Sequence, residues 1–367
     1  MARVAELTLS HFRSHRSTRL CFAAPVTAIH GPNGAGKTNL LEAVSLLSPG
    51  RGMRRAAPEE IARRPEGIGW RVSAEVGGTD RHEVELRAEP GAPRTTRIDG
   101  KAAPQVALAR LLRVLWLVPA MDRLWLEGAE GRRRFLDRAA MSFRPDHADG
   151  VLRYEKAMRD RNRLLRDGVR DRHWFEALER QMAEAGEAVD RGRRKALGRL
   201  EAAQGAEDGP FPAARLALHG PDGPEPPAEA AALAEVWAEG RARDGAAGRT
   251  LAGPHRADLH AVFAAKGMEA RLCSTGEQKA LLVSLVLANA RALRDGDRGD
   301  GPVLLLDEVA AHLDADRRGA LYDALATLGA QAFLTGTGAE LFDGLAEAQH
   351  LRVTEEGSES RVEEVRP

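Results

Sequence analysis

Long apolar runs and cysteines are scarce in this sequence. No run of about 18 apolar residues occurs, so a membrane-spanning helix is not expected. The opening residues Met-Ala-Arg-Val-Ala-Glu lack the apolar core of an export signal. Cys21 and Cys273 are the only cysteines in 367 residues, too few and too far apart for a disulfide framework or a zinc site. These absences predict a cytoplasmic protein with reduced thiols and no membrane partner.

The sequence also lacks a net charge. It holds 54 Lys and Arg residues against 54 Asp and Glu residues, which gives a formal charge of zero. A balanced total does not indicate binding to a polyanion, although it can hide a basic face. A chain of this length is typical of about two domains.

A phosphate-binding loop is the most specific motif present. Val26, Ala28 and Ile29 predict a buried strand before the loop, and the apolar periodicity of residues 39–47 predicts a helix after it. A helix N-terminus favours an anion, so the motif predicts a bound nucleoside triphosphate. Lys37 is expected to contact its β and γ phosphates, and Thr38 to offer a hydroxyl to Mg²⁺. An ordinary glycine-rich turn is the alternative. The loop comprises Gly31, Pro32, Asn33, Gly34, Ala35, Gly36, Lys37 and Thr38, which match G-x-x-x-x-G-K-[ST] at every fixed position.

Two carboxylates follow a short apolar run near the end of the chain. Residues 303–306 are Val-Leu-Leu-Leu, typical of a buried parallel strand, and Asp307 and Glu308 come directly after them. Asp307 is expected to hold Mg²⁺, and Glu308 to orient the water that attacks the γ phosphate. The alternative is a strand end that is acidic only because it is solvated.

A third motif, Ser274-Thr-Gly-Glu-Gln, precedes the apolar helix of residues 280–288. A hydroxyl at Ser274 and a glycine at Gly276 suit a helix start that receives phosphate. Taken alone, the segment is more typical of a simple capping box, with Ser274 as the cap. The order of the parts favours the phosphate role. The glycine-rich loop, then Ser274, then Asp307-Glu308, then Leu313-Asp314 is similar to the order in ABC-type ATPases, in which this segment completes the site of a partner subunit.

The separation of Lys37 and Asp307 is far longer than a minimal core of this type needs, so an insertion is expected between them. Residues 65–118 predict short strands, with a tight turn at Asp99-Gly100. Residues 121–243 are mostly helical in pattern, and Gly205–Pro227 is typical of a loop or poorly ordered segment. The predicted fold class is α/β: an ABC-type P-loop ATPase head, discontinuous in sequence, with an inserted helical arm domain. The predicted divisions are 1–120 for the first half of the head, 121–245 for the arm and 246–367 for the second half.

The chain resembles the RecF family, bacterial repair ATPases of the SMC-like group, along nearly its whole length. The two discriminating blocks are Tyr-Glu-x-x-x-x-x-Arg-Asn-x-Leu-Leu, which begins at Tyr154, and Gly253-Pro-His-Arg. The other matching segments are Leu9-Ser-His-Phe-Arg-Ser, Gly31 to Leu41, Gly131-Arg-Arg-Arg-Phe-Leu-Asp, Ser274 to Leu282 and Leu304-Leu-Leu-Asp-Glu-Val.

The resemblance implies a function and a set of roles. It implies a weak ATPase with ATP and Mg²⁺ as cofactors, which forms a homodimer on ATP, binds duplex DNA and single-strand/duplex junctions, and acts with the RecO and RecR proteins in loading RecA at gapped DNA. A nucleoid-associated location in the cytoplasm follows. Catalytic roles fall to Glu308, Lys37 and Ser274, and metal binding to Thr38 and Asp307. ATP contacts fall to residues 31–38, to Ser274 and Gly276, and to Arg13, for which a surface arginine is the alternative.

Two positions depart from the pattern of the RecF family or of ABC transporters, and the DNA-binding surface cannot be assigned from the sequence. Ala257 stands where the family usually carries an acid, and Thr335-Gly-Thr337 stands where a transporter carries its switch histidine. The sequence therefore does not name a sensor of the γ phosphate. Arginine clusters are either DNA contacts or solvated helix faces. These clusters are Arg51, Arg54 and Arg55; Arg132, Arg133 and Arg134; and Arg191, Arg193, Arg194 and Lys195.

Two other function classes are considered beside a DNA-repair ATPase. A nucleotide-binding subunit of an ABC transporter is disfavoured by the missing switch histidine and by a helical insertion for which it has no use. A DNA scaffold that does not hydrolyse ATP is disfavoured because both Lys37 and Glu308 are present. Recovery of the protein with DNA or with a membrane fraction, with and without ATP, separates the three classes.

Overall fold

A computed structural model describes residues 3–64, 66–78, 80–205, 209–220, 223, 228–296, 301–345 and 347–366. Contacts divide the chain into two compact units. The first contains Met1–Asp122 and Val286–Pro367, and the second contains Arg123–Leu285. The sequence prediction groups residues 246–285 with the head instead, and its functional domain bounds stay a prediction. Within the described residues, no helix is long and apolar enough to cross a membrane.

The described part of the chain contains both strands and helices. The strands are β1 (Arg3–Phe12), β2 (His15–Cys21), β3 (Val26–His30), β4 (Trp70–Gly77), β5 (Arg81–Ala88), β6 (Thr95–Ile98), β7 (Lys101–Ala102), β8 (Val114–Leu117), β9 (Ala214–His219), β10 (Asp258–Phe263), β11 (Met268–Glu269), β12 (Val303–Leu306), β13 (Gln331–Gly336), β14 (Ala348–Glu356) and β15 (Glu359–Val365). The helices are α1 (Lys37–Ser45), α2 (Pro58–Ile61), α3 (Leu108–Leu111), α4 (Ala129–Phe143), α5 (His147–Arg166), α6 (Arg172–Ala202), α7 (Ala230–Glu239), α8 (Arg241–Ala247), α9 (Thr275–Arg294) and α10 (Ala315–Leu328).

The sheet that positions the site has the strand order β15-β14-β3-β13-β12-β8. All its neighbouring pairs are parallel except β14 with β15. Strands β12 and β13 are buried along their whole length, as the continuous apolar sequence of β12 predicts for that strand. Because parallel strands end at one edge of a sheet, the C-terminal ends of β3, β12 and β13 meet there. His30, Leu306 and Gly336 are the last residues of these strands.

A second, antiparallel sheet in the same unit has the order β2-β1-β4-β5-β6-β7. Its strands alternate buried and exposed residues, as in β4, where Trp70 and Val72 are buried and Arg71 is exposed. Phe12 and Trp70 pack edge to face with their ring centroids 5.8 Å apart. The predicted strands of residues 65–118 are confirmed. The predicted turn at Asp99-Gly100 joins β6 to β7, and both of its residues have positive φ.

The second unit contains helices α4 to α8, which confirms the predicted helical insertion, together with a small antiparallel sheet of order β11-β10-β9. The prediction of a loop over Gly205–Pro227 is wrong for Ala214–His219, which form β9 and pair with β10. This strand forms because it pairs with β10, more than 30 residues further along the chain. Its flanks are rich in glycine and proline, so the local sequence predicts a loop instead. Residues 206–208, 221–222 and 224–227 of the same interval lie outside the described part of the chain.

A buried polar network joins α5, α6 and α8 in this second unit. The guanidinium of Arg161 is completely buried and forms ion pairs with Glu179 (3.1 Å) and Asp244 (2.7 Å). It also donates to Thr250 Oγ1 (2.8 Å) and to the carbonyl of Trp237 (3.0 Å). Burying a charge is costly unless it is paired and hydrogen-bonded, and here each donor nitrogen has an acceptor.

The two blocks that carry the family resemblance meet around this network. Tyr154 Oη lies 2.7 Å from His255 Nδ1, and His255 Nε2 lies 3.0 Å from the carbonyl of Thr250. Burial lowers the pKa of His255 to about 4, so the imidazole is neutral at neutral pH. A carbonyl can only accept, so Nε2 carries the proton and Nδ1 accepts from the Tyr154 hydroxyl. These blocks therefore serve the packing of the second unit.

Candidate nucleotide site

The glycine-rich loop runs from the end of β3 into α1, at the sheet edge where the parallel strands end. Gly34 and Gly36 have φ of 86° and 106°, a region that other residues rarely adopt. A Cβ at Gly36 would clash with Ser360 Oγ, whereas a Cβ at Gly34 would meet no described atom within 4 Å. The loop thus packs tightly at Gly36 and leaves open space beside Gly34, where its backbone can approach a phosphate.

Buried polar side chains hold the loop in this shape. Ser360 Oγ lies 2.5 Å from the carbonyl of Ala35 and 2.6 Å from Ser14 Oγ. His15 Nε2 lies 3.3 Å from the carbonyl of Gly36. Burial lowers the pKa of His15 to about 4, so a neutral imidazole donates from Nε2 to this carbonyl. The loop conformation is therefore fixed without a nucleotide, which lowers the ordering cost of binding one.

Lys37 begins α1 and is almost completely buried. Its ammonium group donates to the carbonyls of Gly31 (2.7 Å) and Pro32 (2.9 Å), at the start of the same loop. Burial lowers its pKa, an effect that the negative charges of Glu308 and Asp307 oppose. A cation held at the loop by carbonyls alone is poised to pair with a phosphate oxygen.

Asp307 lies at the end of β12 and contacts two threonines. Thr38 Oγ1 donates to Asp307 Oδ1 at 3.0 Å, and Thr335 Oγ1 donates to the same oxygen at 2.7 Å. Burial raises the pKa of the Asp307 carboxyl, and the two hydroxyl donors oppose that rise. The structure thus brings together two residues that are 269 positions apart and that the sequence assigns to one metal.

The oxygens of Thr38 and Asp307 suit Mg²⁺, which takes oxygen ligands and usually keeps one or two protein groups plus waters and substrate phosphates. Among the described residues no group of three His, Cys, Asp or Glu forms a cage for a metal. The donor set of Thr38 and Asp307 fits the predicted ion.

Glu308 follows Asp307 and is half-buried, with a backbone φ of 55°. For a residue other than glycine this left-handed conformation is strained, and such strain clusters at functional sites. Its amide N–H donates to Thr335 Oγ1 at 2.9 Å. The carboxylate of Glu308 is close enough to Lys37 and Asp307 to shift the pKa of both. The three groups thus belong to one electrostatic cluster.

Arg13, the second side-chain cation considered for phosphate, is engaged by α1 instead. Its guanidinium makes a bidentate pair with the buried Glu42, with distances of 2.8 Å (Nε) and 2.6 Å (Nη2). It also donates to the carbonyl of Glu60, and Arg54 approaches Glu42 to 3.4 Å. A bidentate pair with a carboxylate that is 1% exposed anchors Arg13 to the helix behind the loop.

Ser274 and Gly276 lie in the second unit, at the start of α9, and both are exposed. The amide and hydroxyl of Ser274 each lie 2.8 Å from Glu277 Oε2, which is the capping-box arrangement. Glu277 also forms an ion pair with Lys266. The ammonium of Lys266 and then the hydrogen bonds from Ser274 lower the pKa of Glu277 to about 2. Both interpretations of the motif are therefore compatible: the segment caps its helix and still presents a hydroxyl to solvent.

Several arginines considered for DNA are already paired within the second unit. Arg132 is bidentate on Asp258 (2.7 and 2.9 Å), and Arg193 is bidentate on Asp137 (2.7 and 2.8 Å). The side chains of Arg132 and Arg193 are only 12% and 6% exposed. They are structural cations, neither solvated nor available to a phosphate. The cluster at Arg51, Arg54 and Arg55 is exposed, as are Arg191 and Lys195.

A cavity of about 440 Å³ borders the first residues of the loop. It is rich in basic side chains, and one of its lining residues, His30, has a buried Nε2 atom without a hydrogen-bond partner among the described residues. Burial lowers the pKa of His30, and the charges of His350 and Arg352 add to that effect. The lining residues are His30, Gly31, Pro32, Thr337, Ala339, His350, Arg352, Val365 and Arg366.

The sequence prediction gave no role to Thr335, Ser14, Ser360 or His15, which hold the loop and the two acids. A local signal existed only for Thr335, which follows a buried apolar run as Asp307 does. The other three contacts depend on strand pairing, above all that of β14 with β15, which brings Ser360 to the loop.

Comparisons with known proteins cover almost the whole chain. The model of the RecF/RecN/SMC N-terminal domain family matches residues 3–360. A "DNA replication and repair protein RecF" of Mesorhizobium japonicum is 48% identical over 365 residues, covering 95% of this chain and 96% of that protein. The same-named protein of Caulobacter vibrioides is 46% identical over 378 residues and covers 97% of both.

Solved structures match the fold. The structure of the recombination mediator protein RecF-ATP in the RecFOR pathway has a TM-score of 0.84 at 23% identity, covering 99% of both chains. An SMC head domain of Pyrococcus furiosus, with an extended coiled coil and bound to the C-terminal domain of ScpA, has a TM-score of 0.58 at 15% identity. It covers 100% of this chain and 96% of that one. The ABC-type ATPase fold predicted from the sequence is thereby confirmed.

Proposed function

The chain belongs to the RecF proteins of the RecF/RecN/SMC N-terminal domain family, and from that premise we propose that it is an ATP-dependent DNA-binding protein of recombinational repair. It dimerises on ATP, hydrolyses ATP weakly at sites shared between two protomers, and helps to load RecA at gapped DNA together with RecO and RecR. Duplex DNA and single-strand/duplex junctions are its nucleic-acid partners. Its location is the cytoplasm, in association with the nucleoid.

The observation that carries the proposal is the contact between Thr38 and Asp307 beside the glycine-rich loop. The hydroxyl oxygen of Thr38 and a carboxylate oxygen of Asp307 are 3.0 Å apart. Thr38 lies in the first turn of α1, directly after the buried Lys37. Phosphoryl transfer requires that the protein position the reacting groups and place positive charge around the transferring phosphoryl group. A loop, a cation and a pair of oxygen ligands in one place meet that demand.

Each residue of the site has a separate task in this proposal. The loop amides of residues 33–38 bind the phosphates, and Lys37 leaves its carbonyl partners to pair with the β and γ phosphate oxygens. Thr38 and Asp307 hold Mg²⁺, which when bound neutralises negative charge on the phosphate oxygens. Glu308 orients the attacking water and accepts its proton. Arg13 keeps α1 in place through Glu42 and reaches ATP only if that pair opens.

Ser274 and Gly276 act on the nucleotide of the partner protomer. Both are exposed, and the exposed Leu272 (63%) lies two residues before Ser274. The Ser274 hydroxyl accepts from the amide of Glu277 while it donates to the Glu277 carboxylate, so a phosphate oxygen from outside can replace that carboxylate as its acceptor. The segment is therefore suited to close a site on another chain.

We expect DNA binding to test this function directly. With ATP, affinity for duplex DNA should exceed that with ADP and should fall steeply with salt, since each neutralised phosphate releases roughly 0.9 counterion. Unrelated duplexes of equal length should bind within a fewfold of one another, because arginine contacts to the backbone do not read bases. Fluorescence anisotropy at several salt concentrations measures both. Equal affinity with ATP and ADP would contradict an ATP-driven clamp.

The exposed cluster of Arg51, Arg54 and Arg55 offers a finer measurement in the same titration. Replacing the three with glutamine should flatten the slope of log K against log salt by about one per lost contact if they touch the DNA. Arg87→Gln on β5, also exposed, is the matched control and should leave the slope unchanged. An unchanged slope in the triple variant would move the DNA surface elsewhere.

Ser274→Arg should separate ATP binding from dimerisation. The substitution places a bulky cation where the partner's phosphate is expected, while the glycine-rich loop of the same chain stays intact. Nucleotide affinity of the monomer should remain within about threefold of the parent, and ATP-dependent dimers should disappear in light scattering. Ala246→Arg, exposed on α8 in the same unit, should retain dimers. Hydrolysis by Ser274→Arg that still rises steeply with protein concentration would rule out the shared site.

A further inference from the structure

Thr335 is the penultimate residue of β13 and is completely buried. Its single hydroxyl serves both acids at the end of β12. It donates to Asp307 Oδ1 at 2.7 Å and accepts from the amide N–H of Glu308 at 2.9 Å. A hydroxyl has one proton to give and lone pairs to receive, so Thr335 satisfies one donor and one acceptor at once.

The two contacts restrain the backbone of Glu308 and the carboxylate of Asp307. Glu308 has a φ of 55°, so its backbone stays in a strained conformation only while its surroundings hold it there. The Glu308 amide is anchored on Thr335, and this anchor sets the direction in which the Glu308 side chain leaves the strand. Asp307 is anchored through Oδ1, the oxygen that also receives the Thr38 hydroxyl.

We propose that Thr335 is a positioning residue for ATP hydrolysis, whose hydroxyl locks the Glu308 backbone and the Asp307 carboxylate in their working orientations. The inference rests on the proposed function and deepens it. Thr335 touches neither the nucleotide nor the attacking water in this role. It acts through Glu308 and Asp307, and it stands in the stretch where a transporter-type ATPase carries its switch histidine.

The chain contains a matched control for this hydroxyl. Thr27 lies on β3, the strand that pairs with β13, and its register partner is Phe333. Like Thr335 it is completely buried, but its hydroxyl has no hydrogen-bond partner among the described residues. Replacing either threonine with valine keeps the side-chain shape and removes a hydroxyl. Only at residue 335 does that hydroxyl hold other groups.

The test compares Thr335→Val, Thr335→Ser and Thr27→Val in the full-length protein with Mg²⁺. Steady-state turnover of Thr335→Val should fall by about 10- to 100-fold, the range typical of residues that orient ligating side chains. Its affinity for a fluorescent ATP analogue should stay within about threefold of the parent. Thr335→Ser should restore turnover to within a fewfold, and Thr27→Val should match the parent in both measurements.

Several results would overturn the inference. If turnover of Thr335→Val stays within about twofold of the parent, Thr335 does not position the two acids. If Thr27→Val loses as much turnover as Thr335→Val, the loss is not specific to the hydroxyl that contacts Asp307 and Glu308. Parallel losses of turnover and nucleotide affinity that serine does not restore indicate packing by the methyl group. A parent protein that binds ATP but hydrolyses none, with or without DNA, contradicts the proposed function itself and is seen before any variant is compared.

Discussion

Glu308→Gln is expected to lower the rate of ATP turnover by about 10² or more while ATP-bound dimers persist. Glutamine keeps the shape of the side chain and the hydrogen bond from the backbone N–H to Thr335 Oγ1, so the strained backbone at this position is retained. It removes the carboxylate that orients the water and accepts its proton. Binding of ATP depends on the loop and Lys37, which the substitution does not touch.

The measurement for Glu308→Gln combines a phosphate-release assay with light scattering. Dimers formed with ATP should outlast those of the parent, because hydrolysis no longer resets them, and DNA should stay bound for longer. Glu355→Gln, an exposed residue of β14, is the control and should hydrolyse ATP normally. A turnover within a fewfold of the parent would place the general base on another residue.

The core of the site could be predicted because its motifs sit on strands that end at one edge of a sheet. Residues 31–38 follow β3 and Asp307 follows β12, with β13 between these strands. Once both segments are identified as ends of buried parallel strands, their proximity follows from sheet geometry. Spacing along the chain carries no such information, since Thr38 and Asp307 are 269 positions apart and still in contact.

The partners of the charged residues could not be predicted in the same way. Arg13 pairs with Glu42, and Arg132 with Asp258, through tertiary contacts that no local pattern encodes. An arginine cluster on a helix has the same sequence signature whether it faces DNA, solvent or a buried carboxylate. The structure distinguishes these cases because a bidentate pair with low exposure removes the guanidinium from the surface.

The elements of the fold divide similarly into local and non-local cases. Alternating strands such as β4 and β5 and the long helices α5 and α6 have strong periods and were predicted. Strand β9 was missed, because six residues among glycines and prolines become a strand only through pairing with β10. Within β9 only Ala214 and Leu218 are buried, so its alternation is too short and too weakly apolar to stand out in the sequence.

The blocks that best distinguish the family contribute to packing of the second unit. Arg161 and Asn162 belong to one block and His255 to the other, and all three contact Thr250. Their described hydrogen bonds lie within the second unit, so the nucleotide-binding motifs do not account for them. Because these residues form one buried network, we expect a single substitution in it to lower the free energy of unfolding substantially.

Arg161→Met is expected to lower the free energy of unfolding of the second unit by about 3 to 5 kcal/mol, the usual cost of removing one partner from a buried ion pair. Methionine fills most of the volume and keeps helix propensity, so the loss comes from charge and hydrogen bonding. Asp244 and Glu179, 1% and 2% exposed, are left with less compensation in the interior. Glu179 retains Arg241 as a partner, whereas the carboxylate of Asp244 retains only the amide of Leu251, at 3.2 Å, among its described contacts.

Urea unfolding followed by circular dichroism measures this change, with Arg159→Met as the matched control on the same helix. Arg159 is exposed and approaches Glu155 only to 3.6 Å, so its loss should shift the midpoint little. Adding Asp244→Asn to Arg161→Met should recover part of the lost stability, because it removes the carboxylate left without its cation. If Arg161→Met shifts the midpoint no more than Arg159→Met does, the buried network contributes nothing net and its cost of desolvation equals its gain. If the double variant is less stable than Arg161→Met, the charge on Asp244 is not what the methionine left uncompensated, and the loss must come from the bonds of Arg161 to Thr250 and Trp237.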